Sequence, residues 1–462
     1  MELTTLFPYQ VTGAGYLAQN DQALLADDMG LGKSAQAITA ADQVNARNIL
    51  VLCPASLRIN WTREFGRFSP FDRPIVAIMT AKDQIPGSGV AICSYDLLRV
   101  DKILAALKKT HWDVLVLDEA HYLKERSAQR TKAVYGYGKR SPGLVANASR
   151  VWRLTGTPAP NDASELYTHL KSAGVVDEPY WDFTFRFCTG FNSDYGFRIT
   201  GHKNTTELKQ LLSQIMLRRK KEEVMKELPP IVFQQVTVEK SPVELDPEFY
   251  EQVQAAGKTD TEFLSDMKSS DAMLRQALDN VYKSSCETPA SDSARILESM
   301  APSMVTLRRY IGMMKLPQVC DILAEELESE MVEKIVIFAV HKSVIENTRE
   351  RLRRFGAVTL YGNTPPLKRQ ENVDKFMTDP RTRVLIGNIQ AAGVGITLTS
   401  AHEVAFMEAD WVPANNAQAS MRCHRIGQTR PVRVRFFTCA DSVDEQIQQA
   451  LLRKTRELTK IF

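Results

Sequence analysis

Cysteine is scarce in this sequence, and its distribution argues against two kinds of stabilising site. Among 462 residues there are 7 cysteines, with no C-x-x-C pair and no pair of histidines at metal-ligand spacing. Isolated cysteines of this kind are typical of reduced thiols in a cytosolic protein. We therefore expect neither disulfides nor a structural zinc site.

Long apolar runs, a targeting signal and an excess of charge are missing as well. No apolar stretch approaches the ~20 residues of a membrane-spanning helix, and the start Met1-Glu2-Leu3-Thr4 lacks a basic segment followed by an apolar one. The 58 basic and 55 acidic residues leave a net charge of +3, which by itself does not indicate a nucleic-acid partner. We expect a cytosolic protein without membrane contact, long enough for two or three domains.

A phosphate-binding loop is the strongest motif that is present. Two leucines lead into Asp27-Asp28-Met29-Gly30-Leu31-Gly32-Lys33-Ser34, and a helical pattern follows. Glycines at 30 and 32 let backbone N–H groups approach phosphate oxygens, Lys33 supplies a positive charge, and the Ser34 hydroxyl can ligate Mg²⁺. Because Asp27 occupies the place of the first Gly in G-x-x-x-x-G-K-[ST], this stretch alone could also be a chance Gly-Lys-Ser turn.

An acidic motif further along the chain supports the nucleotide interpretation. The apolar run Trp112–Leu117 ends in Asp118-Glu119-Ala120-His121. The carboxyl end of a buried parallel strand is where a nucleotide site places its metal-binding carboxylate. Asp118 would hold Mg²⁺ through water, and Glu119 would orient and deprotonate the attacking water. Taken alone, the four residues could be a capped helix start, but their order after the loop favours the site.

Two series of short apolar runs predict the fold class, which is α/β with two parallel-sheet lobes in tandem. Runs without in/out alternation indicate strands covered by helices on both faces. The first series occupies residues 49–54, 75–78, 90–93, 112–117 and 150–154, and the second 335–338, 358–360, 384–386, 404–406 and 432–437. We expect lobe one at 1–228 with a helical protrusion at about 160–228, a mainly helical insertion at 229–330, and lobe two at 331–462.

Two segments rich in arginine lie outside these motifs. The run 218–221 could meet a phosphate backbone or neighbouring acids, although a solvated helix face usually explains such a run. In lobe two, Arg422 and Arg425 are three residues apart and are expected to share a helix face. Guanidinium groups suit the oxygens of a transferring γ-phosphoryl group. A surface ion pair is the alternative for either arginine.

Four motifs in this order resemble the Swi/Snf-type double-stranded-DNA translocases of helicase superfamily two. They are residues 27–34, Asp118–His121, Leu154–Pro158 and His424–Gln428, and the resemblance runs from Pro8 to about Leu452. In that family an Asp normally occupies the position of Asp27. The segments Met216–Lys220, Leu228–Pro230 and Tyr310–Lys315 are similar to the annealing-helicase (HepA-related) branch.

The resemblance implies two RecA-like lobes with ATP and Mg²⁺ in the cleft between them. For the nucleotide and metal it implies Gln10, Asp28, Gly30, Leu31, Gly32, Lys33, Ser34, Asp118, Gly395 and Gln428. The catalytic set would be Lys33, Asp118, Glu119 and the arginine fingers Arg422 and Arg425 of lobe two, and the coupling set His121, Thr155, Gly156 and Thr157.

Double-stranded DNA is the partner that the resemblance implies, contacted along its backbone without reading sequence. The residues implied are Pro54, Ser56, Ser94 and Tyr95 in lobe one and Asn388 and Thr397 in lobe two. Residues 387–395 match the family's coupling loop only loosely. We expect a monomeric motor core without accessory modules, of a size that a phage or bacterium encodes, targeted by a separate protein. It would be cytoplasmic, or nuclear in a eukaryote.

The function expected is ATP-driven translocation on duplex DNA, which remodels DNA or protein–DNA complexes without obligatory strand separation. One alternative is a strand-separating DNA or RNA helicase. Another is a nucleotide-gated DNA-binding protein that recruits or displaces partners. The intact Lys33, Glu119 and Arg425 argue against a passive scaffold.

Overall fold

The computed structural model of the chain describes residues 5–136, 141–193, 196–242, 262, 265–272, 301–362, 364–392, 396–445 and 447–448. The chain divides into two compact units, and the division falls between Leu228 and Pro229. Each unit contains its own parallel sheet.

A seven-stranded sheet forms the centre of the first unit, in the order β3-β4-β2-β5-β6-β1-β9 with every pairing parallel. The five strands that the first series of apolar runs predicts are confirmed. The strands are β1 (Gln22–Leu25), β2 (Asn48–Cys53), β3 (Ile75–Ala77), β4 (Gly89–Ser94), β5 (Trp112–Asp118), β6 (Ala148–Leu154) and β9 (Met216–Leu217).

Both faces of this sheet are buried, which explains the continuous apolar runs. Leu50 and Leu115 belong to one hydrophobic cluster, and Ile49 and Val114, on the opposite face, have no exposed surface. The helices are α1 (Pro8–Gln19), α2 (Lys33–Gln43), α3 (Arg58–Phe68), α4 (Asp101–Lys109), α5 (Gln129–Tyr135), α6 (Tyr167–Ser172), α7 (Tyr180–Phe187), α8 (Thr205–Ser213) and α9 (Lys221–Val224).

The segment predicted to be a helical protrusion departs from that expectation. Between α7 and α8 it contains an antiparallel hairpin of β7 (Cys188–Ser193) and β8 (Gly196–His202). Two threonines, two phenylalanines and one isoleucine lie in this stretch, and such residues favour a pleated strand over a helix. After α8, the short β9 joins the central sheet beside β1.

The second unit is built on a six-stranded parallel sheet in the order β10-β15-β14-β11-β13-β12. Its strands are β10 (Ile231–Val238), β11 (Ile335–Ala339), β12 (Ala357–Leu360), β13 (Val384–Asn388), β14 (Glu403–Phe406) and β15 (Val432–Cys439). Its helices are α10 (Ala301–Glu328), α11 (Lys342–Arg351), α12 (Pro366–Thr378), α13 (Ile389–Ala392) and α14 (Pro413–Ser420). Five of the six strands lie where the apolar runs predict them.

The sixth strand, β10, corrects the expectation of a helical insertion from residue 229 onwards. It pairs with β15 over its full length, from Ile231 opposite Val432 to Val238 opposite Cys439. Its position at the sheet edge leaves Val232 and Phe233 more than half exposed, so its burial pattern differs from that of the inner strands. Most of residues 243–300 lie outside the described part of the chain.

Within the described ranges, no helix combines the length and the apolar character that crossing a membrane requires. The six cysteines described there are buried free thiols. The same part of the chain holds no group of three or more His, Cys, Asp or Glu side chains arranged to bind a metal ion.

Candidate active site

The phosphate loop connects β1 to α2 and depends on two glycines with left-handed backbone conformations. Gly30 has φ +84° and Gly32 has φ +73°, which residues with a side chain rarely adopt. A Cβ atom on Gly32 would also lie 2.3 Å from Gln10 Nε2. Because α2 begins at Lys33, directly after Gly32, the loop leads into a helix N-terminus, where free N–H groups favour phosphate.

Lys33 folds back on its own loop. Its ammonium group donates to the carbonyl oxygens of Asp27 (2.7 Å) and Asp28 (3.2 Å). Desolvation lowers the pKa of Lys33, and the carboxylates of Glu119, Asp27, Asp118 and Asp28 act in the opposite direction. The predicted phosphate-binding lysine therefore lies within the electrostatic range of the predicted acidic pair. Ser34 follows it in the first turn of α2 and is partly exposed.

Asp118 ends β5, and its carboxylate is held by two donors. The indole Nε1 of Trp61 donates to Oδ2 (2.8 Å), and the backbone N–H of Glu119 donates to Oδ1 (2.9 Å). Desolvation, followed by the charge of Glu119, raises the pKa of Asp118 to about 7, against the opposing effects of Trp61 and Lys33. A cation beside this buried carboxylate would favour its charged form, so the position is suited to a cation.

Glu119 adopts φ +50°, a left-handed conformation that is uncommon for a glutamate. The strand therefore ends abruptly after Asp118, and the two carboxylates do not follow the alternation of an extended chain. The carboxylate of Glu119 lies 3.4 Å from His121 Nδ1. The sequence motif indicates that an acid occupies this position, but it does not indicate the left-handed backbone conformation.

The four residues predicted to couple motion to hydrolysis lie together. His121 Nδ1 is 3.0 Å from the Thr155 hydroxyl, which also accepts a hydrogen bond from the N–H of Thr157 (3.1 Å). A Cβ atom on Gly156 would lie 2.6 Å from Met29 Cγ and 3.5 Å from Lys33 Nζ. The turn after β6 therefore bridges the acidic motif and the phosphate loop, and desolvation lowers the pKa of His121 between them.

A buried polar network under the phosphate loop was not predicted. The Arg219 guanidinium donates to both carboxylate oxygens of Asp27, which is fully buried, and to the Gln36 side-chain oxygen (2.8 Å). Gln36 Nε2 donates to Asp27 Oδ2 (3.1 Å) and to the Leu31 carbonyl oxygen (3.2 Å). Of the alternatives for the basic run, neighbouring acids are therefore the observed partners of Arg219. Arg219 and Asp27 are 192 residues apart in the sequence, so no local pattern reveals this contact.

Gln10, Asp28 and Leu31 are also engaged within this region. Gln10 Nε2 donates to the Leu31 carbonyl oxygen (3.2 Å), and its Oε1 accepts from Phe7 N (3.0 Å). Asp28 accepts from the Lys221 backbone N–H (3.0 Å) and lies 3.6 Å from the Arg218 guanidinium. The structure thus places these predicted nucleotide residues beside the loop and gives each of them a role in shaping it.

The second-unit residues depart from the sequence expectation. Helix α14 ends at Ser420, so Arg422 and Arg425 lie in the turns after it and do not share a helix face. Arg422 is only 2% exposed, whereas Arg425 is partly exposed and donates to the Met421 carbonyl (3.2 Å) and the Thr397 hydroxyl (3.2 Å).

Gln428 holds a turn together. Its Nε2 donates to the carbonyl oxygens of Thr399, Ala401 and Cys423, and its Oε1 accepts from the backbone N–H groups of Thr429 and Arg430. The Gln428 amide is therefore bonded to the backbone of its own unit, and its nucleotide contact stays a prediction. Gly395 lies outside the described residues.

Several residues predicted to contact DNA are not on the surface. Tyr95 is 2% exposed and donates its hydroxyl to the Asp118 carbonyl (2.9 Å), and Ser94 and Pro54 are buried as well. Burial corrects the expectation that these three side chains lie along a DNA strand. Asn388 is partly buried and donates to the Val340 carbonyl (2.7 Å). Ser56 is partly exposed and Thr397 exposed.

Comparison with known families identifies the class of protein. Residues 9–297 match the SNF2-related domain, and residues 315–427 match the helicase conserved C-terminal domain. The two parallel-sheet units therefore make a helicase-like protein. The chain belongs to the SNF2-related family.

Two curated relatives cover almost the whole chain. It is 30% identical over 471 residues to the SWI/SNF-related matrix-associated actin-dependent regulator of chromatin subfamily A-like protein 1 homolog of Caenorhabditis elegans, over 99% of this chain and 62% of the relative. It is 31% identical over 468 residues to the DNA annealing helicase and endonuclease ZRANB3 of Mus musculus, over 98% of this chain and 40% of the relative. The chain thus spans about half the length of these relatives.

Among solved structures, the Sulfolobus solfataricus SWI2/SNF2 ATPase core in complex with dsDNA is 23% identical, over 99% of this chain and 97% of that chain, with a TM-score of 0.44. The ATPase core domain of the same organism is 25% identical, over 97% and 88%, with a TM-score of 0.43. TM-scores this low add nothing to the family assignment.

Proposed function

We propose that this protein is an ATP-dependent motor that translocates on double-stranded DNA and remodels DNA or protein–DNA complexes without obligatory strand separation. The observation that carries the proposal is the convergence of Lys33, the Asp118–Glu119 pair and the Thr155–Thr157 turn at one edge of the first sheet. Membership of the SNF2-related family and the names of the relatives support a DNA-directed activity.

ATP would bind with its phosphates in the loop between β1 and α2. The Lys33 ammonium now donates to two carbonyl oxygens of that loop, and phosphate oxygens would become its partners. The Ser34 hydroxyl and the Asp118 carboxylate are hard oxygen donors of the kind that Mg²⁺ prefers. Asp118 fits the ion because it is a buried acid whose pKa is raised. When bound, the ion would neutralise phosphate charge.

Glu119 would orient the attacking water and accept its proton, since it is the acid next to the metal-binding position. His121 contacts both Glu119 and Thr155, so a shift of the Thr155–Thr157 turn would move the environment of the base. Of the two arginines predicted as fingers from the second unit, Arg425 is the better candidate because its side chain is partly exposed. Arg422 is buried within the second unit.

DNA contacts would go to the phosphate backbone and would not read sequence. Thr397 is the exposed member of the implied set, and Ser56 and Asn388 are partly exposed. A monomeric state, a protein partner for targeting, and a cytoplasmic or, in a eukaryote, nuclear location belong to the same proposal.

The test is the ATPase rate of the full chain without nucleic acid, with duplex DNA, with single-stranded DNA and with duplex RNA, all at one low salt concentration because such binding depends steeply on salt. Lys33→Ala is the control for contaminating activity. We expect strong stimulation by duplex DNA alone. Stimulation only by single strands or RNA would favour the strand-separating helicase, and no ATP hydrolysis under any condition would refute the motor.

A further inference from the structure

The chain segment 215–221 runs directly alongside the residues that enter the phosphate loop. Backbone N–H groups of Leu24, Ala26 and Asp28 donate in turn to the carbonyl oxygens of Ile215 (2.6 Å), Leu217 (2.8 Å) and Arg219 (3.0 Å). This ladder continues beyond the two residues of β9 and follows the chain to the start of the loop. The segment therefore forms one wall of the loop, which we call the loop brace (residues 215–221).

Arg219, in the loop brace, joins three other parts of the first unit. It donates to the Asp27 carboxylate at the start of the loop, to the Tyr9 carbonyl oxygen in α1 and to Gln36 in α2. Only 13% of its side chain is exposed, and none of the Asp27 side chain is. A bidentate guanidinium–carboxylate pair in such an environment specifies one geometry.

The network also reaches the far side of the loop. Gln36 Nε2 joins Asp27 Oδ2 to the Leu31 carbonyl oxygen, and Gln10 Nε2 donates to the same oxygen. A Cβ atom on Gly13 would lie 1.8 Å from Gln36 Oε1 and 2.6 Å from Arg219 Nη2, so α1 approaches the network too closely for a side chain there. Asp27 and Leu31 lie on either side of residues 28–30 of the loop. The same network of side-chain donors holds both of them.

We propose that Arg219 is a positioning residue for nucleotide binding, which acts through Asp27 to hold the phosphate loop in the conformation that accepts phosphate. This inference rests on the proposed function, because it assumes that ATP binds at the loop. The hydrogen bonds of Arg219 go to Asp27, Tyr9 and Gln36, none of which belongs to the predicted catalytic set. Its contribution is to make the binding conformation the populated one before the nucleotide arrives.

A pre-organised loop has a specific kinetic signature. When only a fraction of molecules has the loop in its binding conformation, the apparent dissociation constant equals the intrinsic constant divided by that fraction, while the bound state is unchanged. Loss of Arg219 should therefore weaken ATP affinity and raise KM more than it lowers kcat. A purely structural role would lower the unfolding temperature and the amount of active protein without moving KM.

The experiment measures binding of a fluorescent, ribose-labelled ATP analogue to the full chain without DNA, together with KM and kcat for ATP with duplex DNA. The variants are Arg219→Gln, Asp27→Asn and the double variant, with Lys220→Gln as the matched control. Lys220 is the next basic residue of the loop brace, and its side chain is exposed. All proteins are assayed well below their measured unfolding temperatures.

We expect Arg219→Gln and Asp27→Asn each to weaken binding by about 10-fold or more, as for other residues that orient a ligating group. The affinity of the double variant for the ATP analogue should be no lower than that of the single variant with the lower affinity, because the two residues act as one unit. Lys220→Gln should bind like the wild type. If Arg219→Gln does not fold, Arg219→Lys should show intermediate affinity, since lysine can pair with Asp27 but cannot serve three partners in fixed geometry.

Two results would be distinguishable. Wild-type-like affinity and KM in Arg219→Gln or, where that variant does not fold, in Arg219→Lys would overturn the inference and leave the proposed function standing. A wild-type chain that binds no ATP, with the same signal as Lys33→Ala, would overturn the proposed function itself.

Discussion

Trp61 is the residue outside the recognised motifs that most directly orients a predicted catalytic group. It is 1% exposed, and its indole N–H donates to the Asp118 carboxylate. Trp61→Phe keeps an aromatic ring but removes that donor. The Asp118 carboxylate then loses one of the two hydrogen bonds that fix its orientation. We expect kcat/KM for ATP to fall about 10-fold, the usual effect of losing a hydrogen bond to a charged group, and the Mg²⁺ concentration for half-maximal ATPase rate to rise.

Trp112→Phe is the matched control for this change. Trp112 is equally buried at the other end of β5, and its indole donates to the Leu107 carbonyl (3.0 Å). Both variants lose the same atoms from equally buried positions of the first unit, so their unfolding temperatures should fall similarly. Equal ATPase rates in the two variants would show that the contact of Trp61 with Asp118 is only structural.

Glu408 in the second unit provides a prediction about pH. It is 4% exposed, and it accepts from the backbone N–H groups of Val340 and His341 (2.9 Å each) and from His341 Nδ1 (2.6 Å). Desolvation alone would raise the pKa of Glu408, but the hydrogen bonds and the charge of His341 outweigh it and lower the pKa below its ordinary 4.5. A lowered carboxyl pKa stabilises the fold above the ordinary value, and this contribution is lost as the pH falls through the lowered value.

Glu408→Gln should therefore lower the unfolding temperature of the full chain at pH 7, and the difference from wild type should shrink as the pH falls below 4.5. Thermal unfolding followed by circular dichroism between pH 7 and pH ~3 measures it. Glu371→Gln, in an exposed pair with Lys368, should change little at any pH. A difference that stays constant or widens in acid would show that the lowered pKa of Glu408 is not what stabilises this contact.

At the scale of elements, helix α1 offers a comparison between two glycines. Gly13 faces the Arg219–Gln36 network with no room for a Cβ atom, whereas a Cβ on Gly15 would meet nothing within 4 Å. Gly13→Ala should destabilise the protein by about 1–3 kcal/mol, the usual cost of overpacking, and should weaken ATP binding. Gly15→Ala should stabilise it by about 0.5–1 kcal/mol, because alanine favours a helix.

Chemical denaturation of both variants, with ATP-analogue binding measured in parallel, tests this comparison. Both substitutions replace glycine by alanine in the same helix, so the gain in helix propensity is the same for the two variants. The difference between their stabilities therefore reports the contact of Gly13 with the network. Equal stabilities would mean that α1 can move away from the network, and the close approach of α1 to α2 would then be of little consequence.

The elements themselves could be predicted wherever their residues are buried on both sides. Strands such as β2 and β5 have continuous apolar runs because helices cover both faces of the sheet. The edge strand β10 was missed because its outer residues, including Phe233, face away from the core and break that pattern. The β7–β8 hairpin could not be predicted in the same way, because a separate two-stranded sheet imposes no continuous run of buried residues.

The site shows the same division between local and distant information. Lys33, Asp118 and Glu119 are candidates from the sequence because nucleotide chemistry needs those residue types at short spacings within each motif, and the Thr155–Thr157 turn is a candidate from the family resemblance. The structure brings these candidates together, and their roles stay predictions. Arg219 and Trp61 could not be predicted, because their partners Asp27 and Asp118 are distant in sequence and only the folded sheet brings them together. Tyr95 was misassigned because a motif position does not specify whether a side chain points to solvent or to the core.

For the whole molecule, the charge balance limits how DNA can be bound. The net charge of +3 provides no general attraction for a polyanion. The two arginines of the loop brace lie against Asp27 and Asp28, so the most basic run of the first unit is partly neutralised within the protein. Under the proposed function, binding of duplex DNA would therefore depend on a local set of contacts, and it should be separable from the chemistry at Glu119.

Glu119→Gln tests that separation in the complete chain. The substitution keeps the size and polarity of the side chain but removes the base, so ATP turnover should fall by about 100-fold or more. Affinity for the ATP analogue and for duplex DNA should stay at the wild-type level, because Lys33, Ser34 and the DNA-contact candidates Ser56 and Thr397 are untouched. Fluorescence binding and a steady-state ATPase assay at one salt concentration measure both properties.

Glu125→Gln is the control, since it makes the same chemical change on an exposed residue of the same segment whose carboxylate bonds to Ser127 (3.0 Å to its N–H). It should leave turnover and binding unchanged. If Glu119→Gln also loses DNA affinity, the left-handed turn at Glu119 (φ +50°) supports the DNA-binding surface as well as the chemistry, and the two functions share one element. If turnover persists, the general base is another group, and the hydrogen-bonded His121, which contacts Thr155, is the next to be replaced.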